Sequence, residues 1–100
     1  MNNDNIELIS QYWWLFGRNV GGETRINIIN LLMERPYNAN QLSNKLNMSY
    51  RNIKHHLKLL KESGIVMENS DQKYGKVFIL NSDFDKEIFD EIIKKRKTES

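Results

Sequence analysis

The stretch NANQLSNKLNMSYRNIKHHLKLLKESG, residues 38–64, contains the signals for two short helices joined by a tight turn. Asn38 can cap the first helix, and Gln41, three residues further on, supplies the other half of a capping box. Asn47 tolerates the left-handed backbone of a sharp turn, and Ser49 is a good N-cap for the second helix. Because only about three residues separate the two helices, the stretch predicts a helix-turn-helix.

The segments on either side of this pair extend the prediction. A preceding helix carries apolar residues at core spacing and continues to about Arg35, where Pro36 stops it. The second helix of the pair ends near Ser63, and IVMEN (65–69) and KVFIL (76–80) then flank a polar turn, which predicts a hairpin. The predicted fold is mainly α with a small β-hairpin, a winged helix-turn-helix of order α-α-α-turn-α-β-β-α.

Two further helices are predicted at the ends of the chain, at about residues 4–16 and 83–97. The first has apolar residues around nearly its whole circumference, so it needs neighbours on more than one side. A chain of 100 residues buries only a modest core, and apolar surface left over in this way favours oligomerisation. We therefore expect one domain, 1–100, that associates with other copies of itself.

Composition excludes several classes of function. The chain has no cysteine, which rules out disulfides, thiolate metal sites and cysteine nucleophiles. No apolar run approaches the roughly 20 residues that span a bilayer, and the N-terminus lacks the features of a signal peptide, so we expect a cytoplasmic protein. The sequence has no Gly-rich phosphate loop, no G-x-S-x-G motif and no pair of carboxylates beside a histidine, so we expect no enzymatic activity.

The only two histidines, His55 and His56, lie side by side in the second helix of the pair. On a helical wheel they point about 100° apart, whereas histidines that share a metal on a helix are spaced at i and i+3 or i+4. We therefore expect no metal and no cofactor. His56 lies at the edge of the apolar face and is expected at the rim of the core, while His55 lies on the outward face.

Basic residues are concentrated around the predicted turn. The segment from Ala39 to Lys61 carries four lysines, one arginine and no acidic residue, although the net charge of the whole chain is only +2. Arg51 and Lys54 lie in the first turns of their helix, where the helix dipole favours Asp or Glu. Because an external polyanion would resolve this conflict, the pattern predicts that this helix binds DNA.

The predicted DNA-binding side chains form three groups. The outward face of the second helix would enter the major groove, a lysine on the first helix would meet phosphate, and the hairpin tip would lie along a flanking minor groove or its phosphates. The residues are Tyr50, Arg51, Asn52, Lys54, His55 and Lys58 on the second helix, Lys45 on the first, and Lys73, Tyr74 and Lys76 at the tip.

The sequence TRINIINLLMERPYNANQLSNKLNMSYRNIKHHLKLLKESGIV (24–66), followed by KYGKVFIL (73–80), resembles the winged helix-turn-helix domain of ArsR-type transcriptional regulators, in particular an archaeal branch of that class. The likeness covers about residues 22–82, and RPYNANQL (35–42) and HHLKLLKESGIV (55–66) are its most specific parts. It implies a homodimer, usually a repressor, that binds an inverted-repeat operator in double-stranded DNA. The second helix of the pair would be the recognition helix and the hairpin would be the wing.

The resemblance also bears on metals and on the contact between subunits. Metal-sensing members carry cysteines where this chain reads QLSNKL (41–46), and others carry histidines on the last helix, so metal sensing is not implied. Dimers of the family pair through their terminal helices, whose apolar faces here are too wide for one neighbour. The implied dimer-interface residues, for which the intrachain core is the alternative, are Ile9, Trp13, Phe16, Phe84, Ile88 and Ile92.

Two other functions stay open on sequence alone. The same fold serves as a protein-protein interaction module within larger transcription or chromatin assemblies, where it reads no bases. A small-molecule sensor with a pocket lined by Trp13 and Trp14 is the other, although paired tryptophans are more often part of a core. Charge reversal of Arg51 and Lys54 separates a regulator from an interaction module, because only the regulator would lose DNA binding.

Overall fold

The computed structural model describes residues 3–98, whose helices and strands follow the predicted order with one strand added. The elements are α1 (Asn3–Phe16), α2 (Gly22–Glu34), β1 (Tyr37–Asn38), α3 (Ala39–Leu46), α4 (Tyr50–Glu62), β2 (Val66–Asp71), β3 (Gly75–Leu80) and α5 (Lys86–Thr98). The winged helix-turn-helix is confirmed, with α3 and α4 as the helix pair and the β2–β3 hairpin as the wing. None of the helices within residues 3–98 combines the length and apolar character needed to cross a membrane.

The added strand, β1, is too short to show the alternating pattern by which strands are found in a sequence. Tyr37 pairs with Phe78 and Asn38 with Val77, so β1 lies antiparallel to β3 on the side opposite β2. The wing is therefore part of a three-stranded sheet rather than an isolated two-stranded ribbon. Because Asn38 is also the N-cap of α3, this pairing anchors the wing beside the start of the helix pair.

The turn between α3 and α4 forms as the sequence predicts. Both halves of the capping box are present, since Asn38 Oδ1 accepts from the backbone N–H of Gln41 at 2.7 Å and Gln41 Oε1 accepts from that of Asn38 at 2.8 Å. Asn47 has a left-handed backbone with φ of 53°, and the Ser49 hydroxyl accepts from the backbone N–H of Asn52 at 3.1 Å. These local contacts set the angle at which α4 leaves the turn.

The core lies where α2, α3, α4 and the sheet meet. Ile28 and Ile29 of α2, Leu42 of α3, and Ile53 and Leu60 of α4 are all fully buried there. Each of these side chains removes apolar area from water and fixes its helix against the others. The packing therefore holds α4 by one face and leaves its opposite face directed outward.

α1 packs against α2 and α5. Phe16 and Phe89 meet edge to face with ring centroids 5.0 Å apart, and the Tyr12 hydroxyl accepts from the backbone N–H of Asp85 at 2.9 Å. The side chain of Asp85 in turn accepts from the backbone N–H of Ile88 at 3.0 Å. Because Asp85 caps the helix in this way, α5 begins at Lys86, later than the expected residue 83.

Two of the predicted dimer-interface residues are buried within the chain, the alternative that the sequence left open. Phe16 and Ile92 are 0% and 3% exposed, so both pack in the core of the chain itself, and Ile92 also lines a groove on the terminal helices. Helical spacing identifies an apolar face, but which part of a wide face turns inward depends on the neighbouring helices. The other four predicted interface residues retain exposed surface: Ile9, Trp13, Phe84 and Ile88.

Candidate DNA-binding surface

α4 has one buried face and one basic face. Ile53, Leu57 and Leu60 point into the core and are at most 1% exposed. The six predicted DNA-binding residues of this helix are all exposed: Tyr50, Arg51, Asn52, Lys54, His55 and Lys58. The helix therefore presents a continuous polar and cationic surface to solvent, as a recognition helix requires.

The start of α4 carries positive charge without an acidic partner in its own first turn. The first turn of α3 likewise contains no Asp or Glu. The Lys54 ammonium lies 5.9 Å from the centre of the Tyr50 ring, within reach of a cation–π interaction. This contact keeps the two side chains together on the outward face, where both can donate hydrogen bonds to DNA.

The tip of the wing is ordered by its own hydrogen bonds. Asp71 Oδ1 accepts from the backbone N–H groups of Lys73 and Tyr74, each at 2.8 Å, and Gly75 closes the turn with φ of 72°. The hydrogen bonds from Tyr74 and then Lys73 lower the pKa of the Asp71 carboxyl. The Asn38 amide donates to the backbone carbonyl of Tyr74 at 3.2 Å, which ties the tip to the start of α3.

The basic face of α4 and the wing tip share one cleft of about 250 Å³. Tyr50 and Lys54 line it from α4, and Tyr74 and Lys76 line it from the wing. Asn40, at the start of α3, lies on the same wall. The structure therefore brings the predicted residues of α4 and of the wing tip, which are about 20 residues apart in the sequence, onto a single surface.

Lys45 lies apart from that cleft. Its ammonium is 5.8 Å from the centre of the Tyr37 ring, and the guanidinium of Arg35 lies 4.7 Å from the same ring. Arg35 and Lys45 also line one shallow depression together with Gln41 and Asn44. The sequence reasoning did not include Arg35, because a charged residue at the end of a helix looks like an ordinary solvated terminus.

The two histidines have different surroundings, as their helical spacing predicts. His55 is exposed, whereas His56 is half-buried, with Nδ1 3.2 Å from Nη1 of the buried Arg25. Burial lowers the pKa of His56, and the positive charges of Arg25 and His55 lower it further. Within residues 3–98 no three potential metal-binding side chains come close enough together to hold an ion.

Besides Arg35, three residues near the candidate DNA-binding surface were not predicted from the sequence. Asp71 could have been found, because an Asp at the start of a turn often accepts from backbone N–H groups two or three residues further on. Glu68 and Lys61 could not, since their ion pair at 3.2 Å joins α4 to β2 across the fold. Only the three-dimensional structure shows which charges meet.

Comparison with known proteins agrees with this geometry. Residues 22–68 match the family model described as "Bacterial regulatory protein, arsR family". No curated protein sequence matches the chain.

Similar folds occur in three bacterial regulators of known structure. The transcriptional repressor BigR from Xylella fastidiosa is 13% identical, with a TM-score of 0.63 over 95% of this chain and 83% of that one. The transcriptional regulator HlyU from Vibrio vulnificus CMCP6 is 21% identical, with a TM-score of 0.62 over 100% of both chains. A MarR-like transcriptional regulator from Thermotoga maritima is 17% identical, with a TM-score of 0.55 over 97% of this chain and 77% of that one.

The family match covers α2, the helix-turn-helix and the start of the wing, and therefore includes the basic face of α4 but not the wing tip. The solved structures extend the same fold to the terminal helices. Residues 22–68 therefore resemble the helix-turn-helix segment of the arsR family of bacterial regulatory proteins.

Proposed function

We propose that this chain is a cytoplasmic, homodimeric repressor that acts as one winged-helix domain, residues 1–100, on an inverted-repeat DNA operator. The observation that carries the proposal is the exposed basic face of α4, which has no acid in its first turn and shares a cleft with the wing. A single duplex can meet both parts at once, because major-groove and minor-groove contacts of one DNA segment lie side by side.

Each group of residues has a separate task in this proposal. Arg51 and Lys54 donate to guanine or to phosphate in the major groove, and Tyr50, Asn52 and His55 contact neighbouring bases or backbone. The residues that supply affinity through phosphates are Lys45, Lys58, Lys73, Tyr74 and Lys76. Sequence choice therefore depends mainly on the first turns of α4.

Apolar surface on the terminal helices supports the dimer. An open groove of about 270 Å³ is lined by three apolar residues, Ile9 of α1 and Ile88 and Ile92 of α5, and bordered by Glu87, Glu91 and Lys95. A second copy related by a two-fold axis would cover this groove and set the two α4 helices about 34 Å apart, the spacing of successive major grooves. The residues proposed for the interface are Ile9, Trp13, Phe84 and Ile88.

The test starts from genomic DNA. Fragments selected by the purified protein are sequenced, and the recovered sites are titrated by fluorescence anisotropy at two salt concentrations. We expect inverted repeats, with a binding constant that falls steeply as salt rises. If every sequence binds no more tightly than about 1 μM, or if salt has no effect, the proposal is refuted.

Charge reversal separates a regulator from a protein-interaction module. The double variant Arg51→Glu and Lys54→Glu should weaken operator binding by about 100-fold or more while the dimer stays intact. A matched variant, Lys94→Glu and Lys97→Glu on α5, changes the net charge equally and should retain most of the affinity. Equal losses in both variants would mean that net charge alone, rather than the face of α4, attracts DNA.

The direction of regulation needs its own experiment. The fold is similar to that of BigR, which is a transcriptional repressor, and this supports repression here. A reporter gene downstream of a selected site should be expressed less when the protein is present. Higher expression would make the protein an activator and would leave its DNA binding unaffected.

A further inference from the structure

A second cleft, of about 370 Å³, runs between α4 and the wing. Its α4 wall carries a stripe of four cations at spacings of three and four residues, so all of them face the same side of the helix. The opposite wall is formed by Glu68 of β2 and Phe78 of β3. The four cations are Arg51, Lys54, Lys58 and Lys61.

Glu68 pairs with one cation on α4 and with another on the wing. Its Oε1 lies 3.2 Å from the Lys61 ammonium at the end of α4, and its Oε2 lies 3.8 Å from the Lys76 ammonium on β3. The lysine side chains are 53% and 75% exposed, whereas that of Glu68 is 25% exposed. One carboxylate therefore joins the recognition helix to the wing and partly neutralises two cations.

DNA bound as proposed above brings its backbone to this cleft. The strand of phosphates that separates a major groove from the adjacent minor groove must pass between a helix in the first and a wing at the second. Phosphates there would meet the cations of α4, but they would also meet the carboxylate of Glu68. The negative charges of phosphate and carboxylate repel each other at close range, and salt screens this repulsion only partly.

We propose that Glu68 is a positioning residue of the DNA-binding surface, which pairs with Lys61 and Lys76, weakens the contact of both lysines with phosphate and so limits the affinity for any duplex. This inference rests on the proposed function. Backbone contacts supply most non-specific affinity, whereas base contacts supply sequence choice. Glu68 therefore weakens binding to operator and to random DNA by similar factors.

The carboxylate is stabilised in its charged form. The hydrogen bond from Lys61, followed by the charges of Lys61, Lys76 and Lys54, lowers the pKa of Glu68 despite some desolvation. It stays ionised near neutral pH, where regulators meet DNA. Protonation cannot relieve the repulsion under these conditions, so only substitution removes it.

The test compares Glu68→Gln with wild-type protein by anisotropy titration over a salt series, on one selected operator and one scrambled duplex. We expect the variant to bind both duplexes about fivefold to tenfold more tightly at about 0.15 M salt. The slope of log K against log salt should become steeper by about 1 for each lysine released. A purely structural role for Glu68 would not steepen that slope.

Two controls isolate the cause. Glu7→Gln changes the net charge equally, but Glu7 is exposed on α1, which packs against α2 and α5. This variant should bind like wild type. Adding Lys61→Met and Lys76→Met to Glu68→Gln should remove the gain, because the released lysines are then absent.

The outcomes separate the two proposals. A wild-type protein that binds no duplex in a salt-dependent way refutes the proposed function and this inference with it. If wild type binds DNA but Glu68→Gln leaves affinity and salt slope unchanged, or weakens binding, only the role of Glu68 is overturned. A gain of equal size in Glu7→Gln would also overturn it, because net charge would then be the cause.

Discussion

Replacing the buried Arg25 by methionine should destabilise the protein strongly. Arg25 is 4% exposed, and its Nε donates to the Leu15 carbonyl at 2.7 Å. Its Nη1 meets His56 Nδ1 at 3.2 Å, and its Nη2 donates to the Val20 carbonyl at 3.3 Å and to Asn19 Oδ1 at 3.4 Å. Methionine occupies much of the same space but leaves these acceptors without their donor.

The size of the effect follows from these contacts. A hydrogen bond to a charged group contributes about 1.5–3 kcal/mol, and two of the four contacts have good distances. Methionine avoids the desolvation of a guanidinium, which offsets part of the loss. The free energy of unfolding should therefore fall by about 2–4 kcal/mol, out of the roughly 5–15 kcal/mol of a small domain. The melting temperature should fall by about 10–25 °C.

Urea unfolding measures this change, with tryptophan fluorescence as the signal. Trp14 is a suitable reporter, because the Arg25 guanidinium lies 5.5 Å from its ring. The matched control is Arg35→Met, since Arg35 is exposed at the other end of α2 and should change stability by less than about 1 kcal/mol. If Arg25→Met unfolds within about 0.5 kcal/mol of wild type, these hydrogen bonds do not stabilise the fold and the reasoning fails.

Three further predictions concern pH, the wing and the dimer. The lowered pKa of His56 means that the unfolded chain binds more protons, so the free energy of unfolding should fall as pH drops from about 7 towards 5, and the loss is complete below the folded pKa. In urea unfolding across that range, His56→Gln should flatten the dependence, and His55→Gln should do so much less because the charge of His55 is the smallest cause of the lowered pKa; a flat wild-type profile would contradict this. Asp71→Ala should free the wing tip and weaken operator binding by about threefold to tenfold in anisotropy titration, with little change in melting temperature, because it removes two hydrogen bonds of an exposed turn. Ile9→Glu should convert the proposed dimer to monomer in light scattering, because it puts a charge into the apolar groove of the terminal helices. A dimer of unchanged affinity would remove Ile9 from the proposed interface.

The helix-turn-helix could be predicted from the sequence because its signals are local. The capping box of Asn38 and Gln41, the left-handed Asn47 and the cap of Ser49 each act within three or four residues. The apolar spacing of α4 then fixes which face is buried, and the exposed residues follow from it. Whether those exposed residues bind DNA remains a prediction.

The features that the sequence did not predict are contacts between distant segments. β1 is recognised only by its pairing with β3, and the burial of Phe16 is seen only in the packed fold, where its ring meets Phe89. Arg25 and His56 are 31 residues apart in the chain, and neither residue type indicates which partner it will have. Contacts between distant segments depend on how the helices pack. Hydrophobic periodicity shows which face of a helix is apolar, but it does not show which other element that face will contact.

The Arg25 contacts join the terminal helix α1 to α4. Leu15 lies in the last turn of α1 and His56 in the middle of α4, and one guanidinium bonds to both. Space around this group is tight, since a Cβ at Gly21 would lie 2.7 Å from Arg25 Nη1 and 2.7 Å from His56 Cε1, and the φ of 87° at Gly21 is itself unfavourable for other residues. A shift of the end of α1 would therefore break the hydrogen bond between Arg25 and the Leu15 carbonyl or displace His56. The buried side chain of Arg25 thus helps to fix α1, which is proposed to form the dimer, relative to α4, which is proposed to read DNA.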